Sequence, residues 1–382
     1  MDIEKKVIQL TEELIPVPTY EREAGAAWLL AEYLERFGCE VALEEVEPGR
    51  PNLVAVLRGP TAGKTLMFCG HLDTVPPASE GQLRPRVEGG RIYGRGSCDM
   101  KGALAAMACA MESLADQDFA GTVMLLATMG EETGLRGMRH FMDHSASRYA
   151  IDACIVGEPT SLELGIAHKG GAWFKLTTFG KAAHGSTPGQ GVNAIYHMAL
   201  VVKAIQEDLV KSLSKRGHPL LGCGTVNVGV IRGGERTNMV PDRCVLEIDR
   251  RFLPRESLER VVAELEEIVN ALKEGHPDFQ AKISLEHSYP PFEVDKDAEI
   301  VRVIREAYQA VLGKPPSLTG LNYGTDGTLA QAEGIPTVII GPGAPTQAHT
   351  ENEFVEIEEL AVAVRIYREV AQRFLSPQGG AE

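Results

Sequence analysis

Histidines and acidic residues stand at the ends of apolar runs in this chain. In TLMFCGHLD, His71 and Asp73 follow a run with strand character. Glu131 and Glu132 follow TVMLLATMG, and Glu158 follows IDACIVG. His349 lies eight residues beyond TVIIG, and Asp99 sits in GRGSCDMKG, a loop that leads into a helical pattern. In open α/β sheets, ligands gather outside the carboxyl ends of strands, so separate segments bring imidazole and carboxylate to one sheet edge. These donors suit zinc, and also cobalt or manganese. A carboxylate can bridge two such ions about 3.5 Å apart, and the pair acidifies a shared water and polarises a carbonyl. A nearby carboxylate must then carry the proton to the leaving amine. Glu131 and Glu132 are adjacent and should point apart, so one can bind metal while the other stays free. Asp73 is placed to orient the His71 ring.

The elements that must hold these groups are legible as patterns. NLVAVL (52–57), TLMFCG (65–70), TVMLLAT (122–128), IDACIV (151–156) and TVIIG (337–341) are apolar almost without alternation. Strands covered on both faces look like this. Helix patterns precede and separate them, at 1–15, 22–37 and 101–115. The expected fold is α/β, with a mixed, largely parallel sheet flanked by helices. The middle differs: strands at 173–180, 225–234, 243–252 and 281–288 alternate with helices near 190–213 and 257–274. This β-α-β-β-α-β order is ferredoxin-like. The expected division is therefore 1–171, an inserted domain at 172–288, and a resumed first domain at 289–382.

Bulk properties narrow the function. The chain has 382 residues and a formal charge of −15, which disfavours nucleic acid and anionic membrane as partners. No apolar run of about 18 residues predicts a transmembrane helix. The acidic amphipathic start is unlike a signal peptide. Seven scattered cysteines without a C-x-x-C pair predict reduced thiols and a cytoplasmic setting. A short polar tail, SPQGGAE, ends the chain.

HLDTVP (71–76), YGRGSCDMKG (93–102), GEETG (130–134), GEPT (157–160) and AHT (348–350) together resemble the co-catalytic zinc aminoacylase and carboxypeptidase family. Acetylornithine deacetylase, succinyl-diaminopimelate desuccinylase and glutamate carboxypeptidase are members. The resemblance runs from about residue 10 to 365. It implies two divalent ions per subunit, with Asp99 bridging, His71 and Glu158 completing one site, and Glu132 and His349 the other. It implies Glu131 as general base, a cis peptide after Asp99, and dimerisation through the inserted domain. KAAHGSTP (181–188) resembles the segment whose histidine enters the partner's active site, which makes His184 an oxyanion stabiliser. TNMVPD (237–242) resembles a substrate-binding motif and points to Asn238. DRRFLP (249–254) resembles D-x-R-x-x-P and points to Arg251 as the carboxylate grip, with Arg250 the second choice.

The resulting expectation is a cytoplasmic, homodimeric, dinuclear amidohydrolase that acts on an N-acyl amino acid or similar small carboxylate by metal-activated water. A carboxypeptidase or dipeptidase of the same family is the rival enzyme. A non-catalytic binding protein is the rival outside catalysis, and retention of every ligand and the base argues against it. Three features are set aside. GPTAGKT (59–65) is one residue short of a P-loop and reads as a hairpin turn. His140 and His144 read as a helix face, and His168 as part of the interdomain connection. Asp326, in YGTDGT, is left without a role.

Overall fold

The computed structural model describes residues 3–376, so Met1, Asp2 and the tail after Ser376 lie outside the described residues. The chain forms two compact units. The first runs through Ile166 and resumes at 294–319 and from Thr325 onward. The second comprises 167–293 and 320–324.

In the first unit the apolar runs become strands Arg50–Arg58, Thr61–His71, Ala120–Thr128, Ala153–Val156 and Thr337–Ile339. Their spatial order starts at Glu40–Glu47 and continues Arg50–Arg58, Ala120–Thr128, Thr61–His71, Ala153–Val156, Thr337–Ile339. The pairings from Ala120–Thr128 across to Thr337–Ile339 are parallel, and the two before them are antiparallel. The sheet is mixed, with its parallel part where the candidate ligands lie.

GPTAGKT does not make a hairpin. Arg50–Arg58 and Thr61–His71 both pair with Ala120–Thr128 and not with each other. The chain reverses at Gly59 and Pro60, and a later strand takes the place between.

Helix Lys101–Ala115 is buried around most of its circumference, from Lys101 through Met111. It packs against helices Ile3–Leu14 and Ile357–Leu375 and against the strand Thr61–His71. Its alanines allow that closeness, since a helix apolar on all sides must be covered on all sides. The first unit closes on itself where the second departs: the Val294 amide donates to the Ile166 carbonyl at 2.9 Å.

The second unit contains strands Gly170–Phe179, Thr225–Gly233, Arg243–Phe252 and Gln280–Tyr289. All pairings are antiparallel, in the spatial order second, third, first, fourth. A helical stretch from Ala194 to Leu213, with a π turn at Ile205–Leu209, and helix Leu258–Gly275 cover one face. Phe174, Leu176, Leu246, Ile248, Met198, Val201, Val261 and Leu265 form the core between. This is the β-α-β-β-α-β arrangement. Among the described residues, no helix is long and apolar enough to cross a membrane.

Candidate metal centre

The candidate ligands of the first unit meet at the carboxyl edge of its sheet. His71 ends Thr61–His71 and is in register with Thr128, the last residue of its neighbour. Glu158 lies two residues past Ala153–Val156. Asp99 arrives from the loop before Lys101–Ala115, and the Asp99–Met100 peptide is cis. Two glycines make room for that loop and helix. A Cβ at Gly70, before His71, would stand 2.6 Å from Met100 Cε. One at Gly157, before Glu158, would stand 2.8 Å from Met107 Cε and 2.9 Å from Met100 Cε.

Asp99 faces both imidazoles. His71 Nε2 lies 2.9 Å from Oδ1, and His349 Nε2 lies 3.2 Å from Oδ2. His71 Nε2 is also 3.7 Å from Glu158 Oε1, while His349 Nε2 is 2.8 Å from Glu132 Oε1. Two groups of donor atoms lie within 4.8 Å of one another: His71, Asp99 and Glu132; and His71, Glu131 and Glu158. His349 adopts a left-handed backbone, φ 63°, which is uncommon for a residue with a side chain.

Asp73 meets the His71 ring through its main chain. Its backbone carbonyl, not its carboxylate, meets His71 Nδ1 at 2.8 Å, and its Oδ1 stands off at 3.6 Å. The carboxylate instead accepts the amides of Glu131, 3.0 Å to Oδ1, and Glu132, 3.1 Å to Oδ2. The ring is oriented by the main chain, and the acid pins the turn that presents both glutamates.

The electrostatics match a site built around positive charge. Burial pushes the Glu131 carboxyl well above its ordinary range, and the nearby Glu158 charge adds to it. Burial and the Asp99 charge do the same to Glu158. Burial opposes ionisation of Asp99, yet contacts from His349 and His71 hold it below the usual carboxylate range. Contacts with Asp99 and Glu132 raise the His349 imidazole to about 10. Carboxylates crowded on two imidazoles are the donor set of a borderline divalent cation, whose charge reverses local ionisation preferences. Each of the two donor groups, which share His71, offers the side chains to hold an ion.

Residues 67–373 match the model of peptidase family M20/M25/M40. The chain belongs to this family. It is 33% identical over 353 residues to acetylornithine deacetylase of Aliivibrio salmonicida (strain LFI1238), covering 91% of this chain and 90% of that one. Among solved structures, aminopeptidase PepT of Bacillus cereus ATCC 10987 superposes with a TM-score of 0.83 at 25% identity, over 97% of this chain and 98% of that one. YXEP of Bacillus subtilis, described as a dinuclear metal binding peptidase from the M20 family, superposes at 0.74 over 98% of each chain with 17% identity. This M20 protein is accordingly a metal-dependent hydrolase.

Two acids near the centre of the M20 unit went unassigned in the sequence. Asp326 is buried, with Oδ2 accepting from Thr128 Oγ1 at 2.5 Å and Oδ1 lacking a partner among the described residues. Burial raises it to about 6. Glu353 Oε1 accepts the amides of Cys98 and Asp99, each at 3.0 Å. Glu353 lies in TENEF, whose polar neighbours look like an ordinary solvated loop. Only its distance of four residues from His349 could have drawn notice. Cys98 is buried with its thiol toward the Ala344 carbonyl at 3.4 Å.

The second unit brings His184 and Asn238 together. The strand pair Ala183–His184 and Met239–Val240 sets His184 opposite Met239, and the Gly185 amide donates to the Asn238 carbonyl at 2.8 Å. Both residues are exposed. The two arginines separate by strand alternation. Arg250 faces the helices, is 1% exposed, and donates to Glu256 and Glu264. It is thereby committed to the fold. Arg251 faces the other side, forking onto Asp249 at 2.7 and 3.0 Å and reaching the Tyr289 hydroxyl at 2.5 Å. Its guanidinium lies 4.6 Å from the Trp173 ring centre. His140 and His144 are stacked neighbours on a helix, 4.4 Å apart. His168 ends the strand Leu164–His168, at the entry to the second unit.

Proposed function

We propose that this M20 hydrolase is an N-acyl amino acid deacylase of the acetylornithine deacetylase kind. The observation that carries the chemistry is Asp99, whose two oxygens each face a different imidazole, while Glu131 groups with His71 and Glu158. His71 with Glu158, and Glu132 with His349, would hold two ions, with Asp99 between them; zinc is the best match to these donors, with cobalt or manganese as substitutes. Bound ions supply Lewis-acid polarisation of the scissile carbonyl and acidify the attacking water. Glu131 takes the proton from that water and passes it to the departing amine nitrogen. Asp73 fixes the turn from which it does so, through the two amides it accepts.

The second unit supplies recognition in this reading. Arg251 offers its remaining N–H donors to the substrate carboxylate, preorganised by Asp249 and Tyr289. Asn238 binds substrate beside His184. His184 stabilises the developing oxyanion in the active site of a second copy, so the working enzyme is a homodimer joined through the inserted unit. The cysteines carry no disulfide and six are buried, which supports a reducing, cytoplasmic setting. The deacylase reading draws on the identity to acetylornithine deacetylase along nine-tenths of both chains. The likeness to an aminopeptidase structure supports peptide hydrolysis as the second reading.

One assay separates them. The protein loaded with zinc, cobalt or manganese is offered N-acetylornithine, N-succinyl-diaminopimelate, other acyl amino acids, dipeptides and tripeptides. Preferred release of the acyl group from N-acyl amino acids is expected. Preferential peptide cleavage would transfer the assignment to the peptidases.

A further inference from the structure

The backbone of Asp99 is held by one side chain from another loop. Glu353 Oε1 accepts the amides of residues 98 and 99 together, which fixes both peptide planes. Its Oε2 accepts from Arg95 Nη1 at 2.5 Å. Its own carbonyl accepts the Gly94 amide at 3.1 Å. Glu353 is 1% exposed and Arg95 2%, so neither has water as an alternative partner. A buried carboxylate with an arginine and two amides tolerates little movement, since losing any partner leaves charge unpaired.

The same residue lies four positions after His349. Glu353 therefore ties the Asp99 loop to the loop that carries an imidazole facing Asp99. Asp99 has to present its two oxygens to histidines at 2.9 and 3.2 Å. A small rotation of the 94–99 loop would favour one side and withdraw from the other. We propose that Glu353 is a positioning residue that sets the Asp99 carboxylate between the two metal positions and couples the Asp99 and His349 loops. It touches neither substrate nor reacting atoms and acts only through Asp99.

This inference rests on the dinuclear reading of the site, and one experiment separates the two. Full-length wild-type, Glu353→Gln and Glu353→Asp proteins are stripped of metal and titrated with cobalt(II). Chelator competition reads affinity, visible absorption reads coordination, and circular dichroism reads the fold. Gln keeps an oxygen for the two amides but can turn an N–H donor toward Arg95. Asp keeps the charge and is one methylene short of the amides. Outer partners of ligands typically set affinity by about 10–100-fold. The expected result is native circular dichroism, a weaker-site Kd raised 10–100-fold in that sense, and shifted cobalt bands in both variants. Excess cobalt should restore occupancy while leaving the bands shifted. Two ions bound with wild-type affinity and unshifted bands in either folded variant would overturn the proposal. If Gln fails to fold, Asp decides alone. Loss of folding in both also overturns it and assigns Glu353 to the scaffold. Failure of wild-type protein to bind cobalt would instead refute the metal centre.

Discussion

Adjacent glutamates at 131 and 132 have both amides held by Asp73, and the proposed mechanism gives them different tasks. Glu132 meets His349, and Glu131 joins His71 and Glu158. Glu131→Gln preserves size and hydrogen bonding but cannot accept a proton. The variant should keep both ions by metal analysis while kcat falls by about 10²–10⁴-fold, the usual worth of a positioned base. Turnover close to wild type would remove Glu131 from the proton path. For Arg251, a lysine cannot reproduce the fork onto Asp249. Arg251→Lys and Arg251→Ala should both raise KM for carboxylate-bearing substrates, with kcat less affected. Unchanged KM in steady-state assays would reassign the carboxylate grip. These residues differed in legibility. His71 and Glu158 stand out because polar groups beside apolar runs are conspicuous, whereas Asp99 lies in the loop GRGSCDMKG before a helical pattern. Glu353 does not stand out, since its burial depends on Arg95 and two amides some 250 residues away. The spacing of Asp73 from His71 is legible, but two residues of sequence do not reveal which of its oxygens meets the ring.

Strands are where pattern reading succeeded and where it met its limit. Runs apolar on both faces became interior strands, as covering helices require. Glu40–Glu47 carries four glutamates and was not anticipated. As the edge strand of its sheet it has one side unpaired among the described residues, and charge there discourages pairing with other chains. The GPTAGKT reversal misled because a tight turn usually joins neighbours, whereas pairing with a strand some 60 residues later lies beyond any local signal. A pH effect also belongs to this scale. His168 ends the strand Leu164–His168, stacked 5.1 Å from the Phe292 ring, with Nε2 lacking a partner among the described residues. Burial lowers it to about 4 from the ordinary value of 6.5. Above the unfolded value both states are neutral, and His168 imposes no penalty. As pH falls from 6.5 toward 4, the unfolded chain binds a proton that the folded chain refuses, so stability drops. The loss should approach about 3 kcal/mol near pH 4 and stay at that level below it. Urea unfolding at a series of pH values should show this slope in wild type and a shallower one in His168→Phe. Parallel slopes would indicate that His168 titrates normally.

At the scale of the molecule, the candidate metal ligands lie in one unit and His184 in the other, so the proposed dimer has a direct test. If His184 serves a partner's site, Glu131→Gln and His184→Ala chains are each inactive alone. In mixed dimers, one site combines an intact Glu131 with an intact His184. Random reassortment makes half the dimers mixed, so activity should recover to about a quarter of wild type. Refolding the two variants together and comparing with each alone measures this. No recovery from dimers shown to have exchanged subunits would mean that His184 acts within its own chain, and activity of His184→Ala alone would mean that it does not act at all.

The hydrogen bond from Val294 to Ile166 means that the host unit closes almost seamlessly where the second unit leaves it. An excursion of more than a hundred residues thus departs and returns through a single doorway, and only the short segment 320–324 visits it again. The strands that end at His71 and before Glu158 lie outside that excursion, so a change of length within it interrupts neither of them.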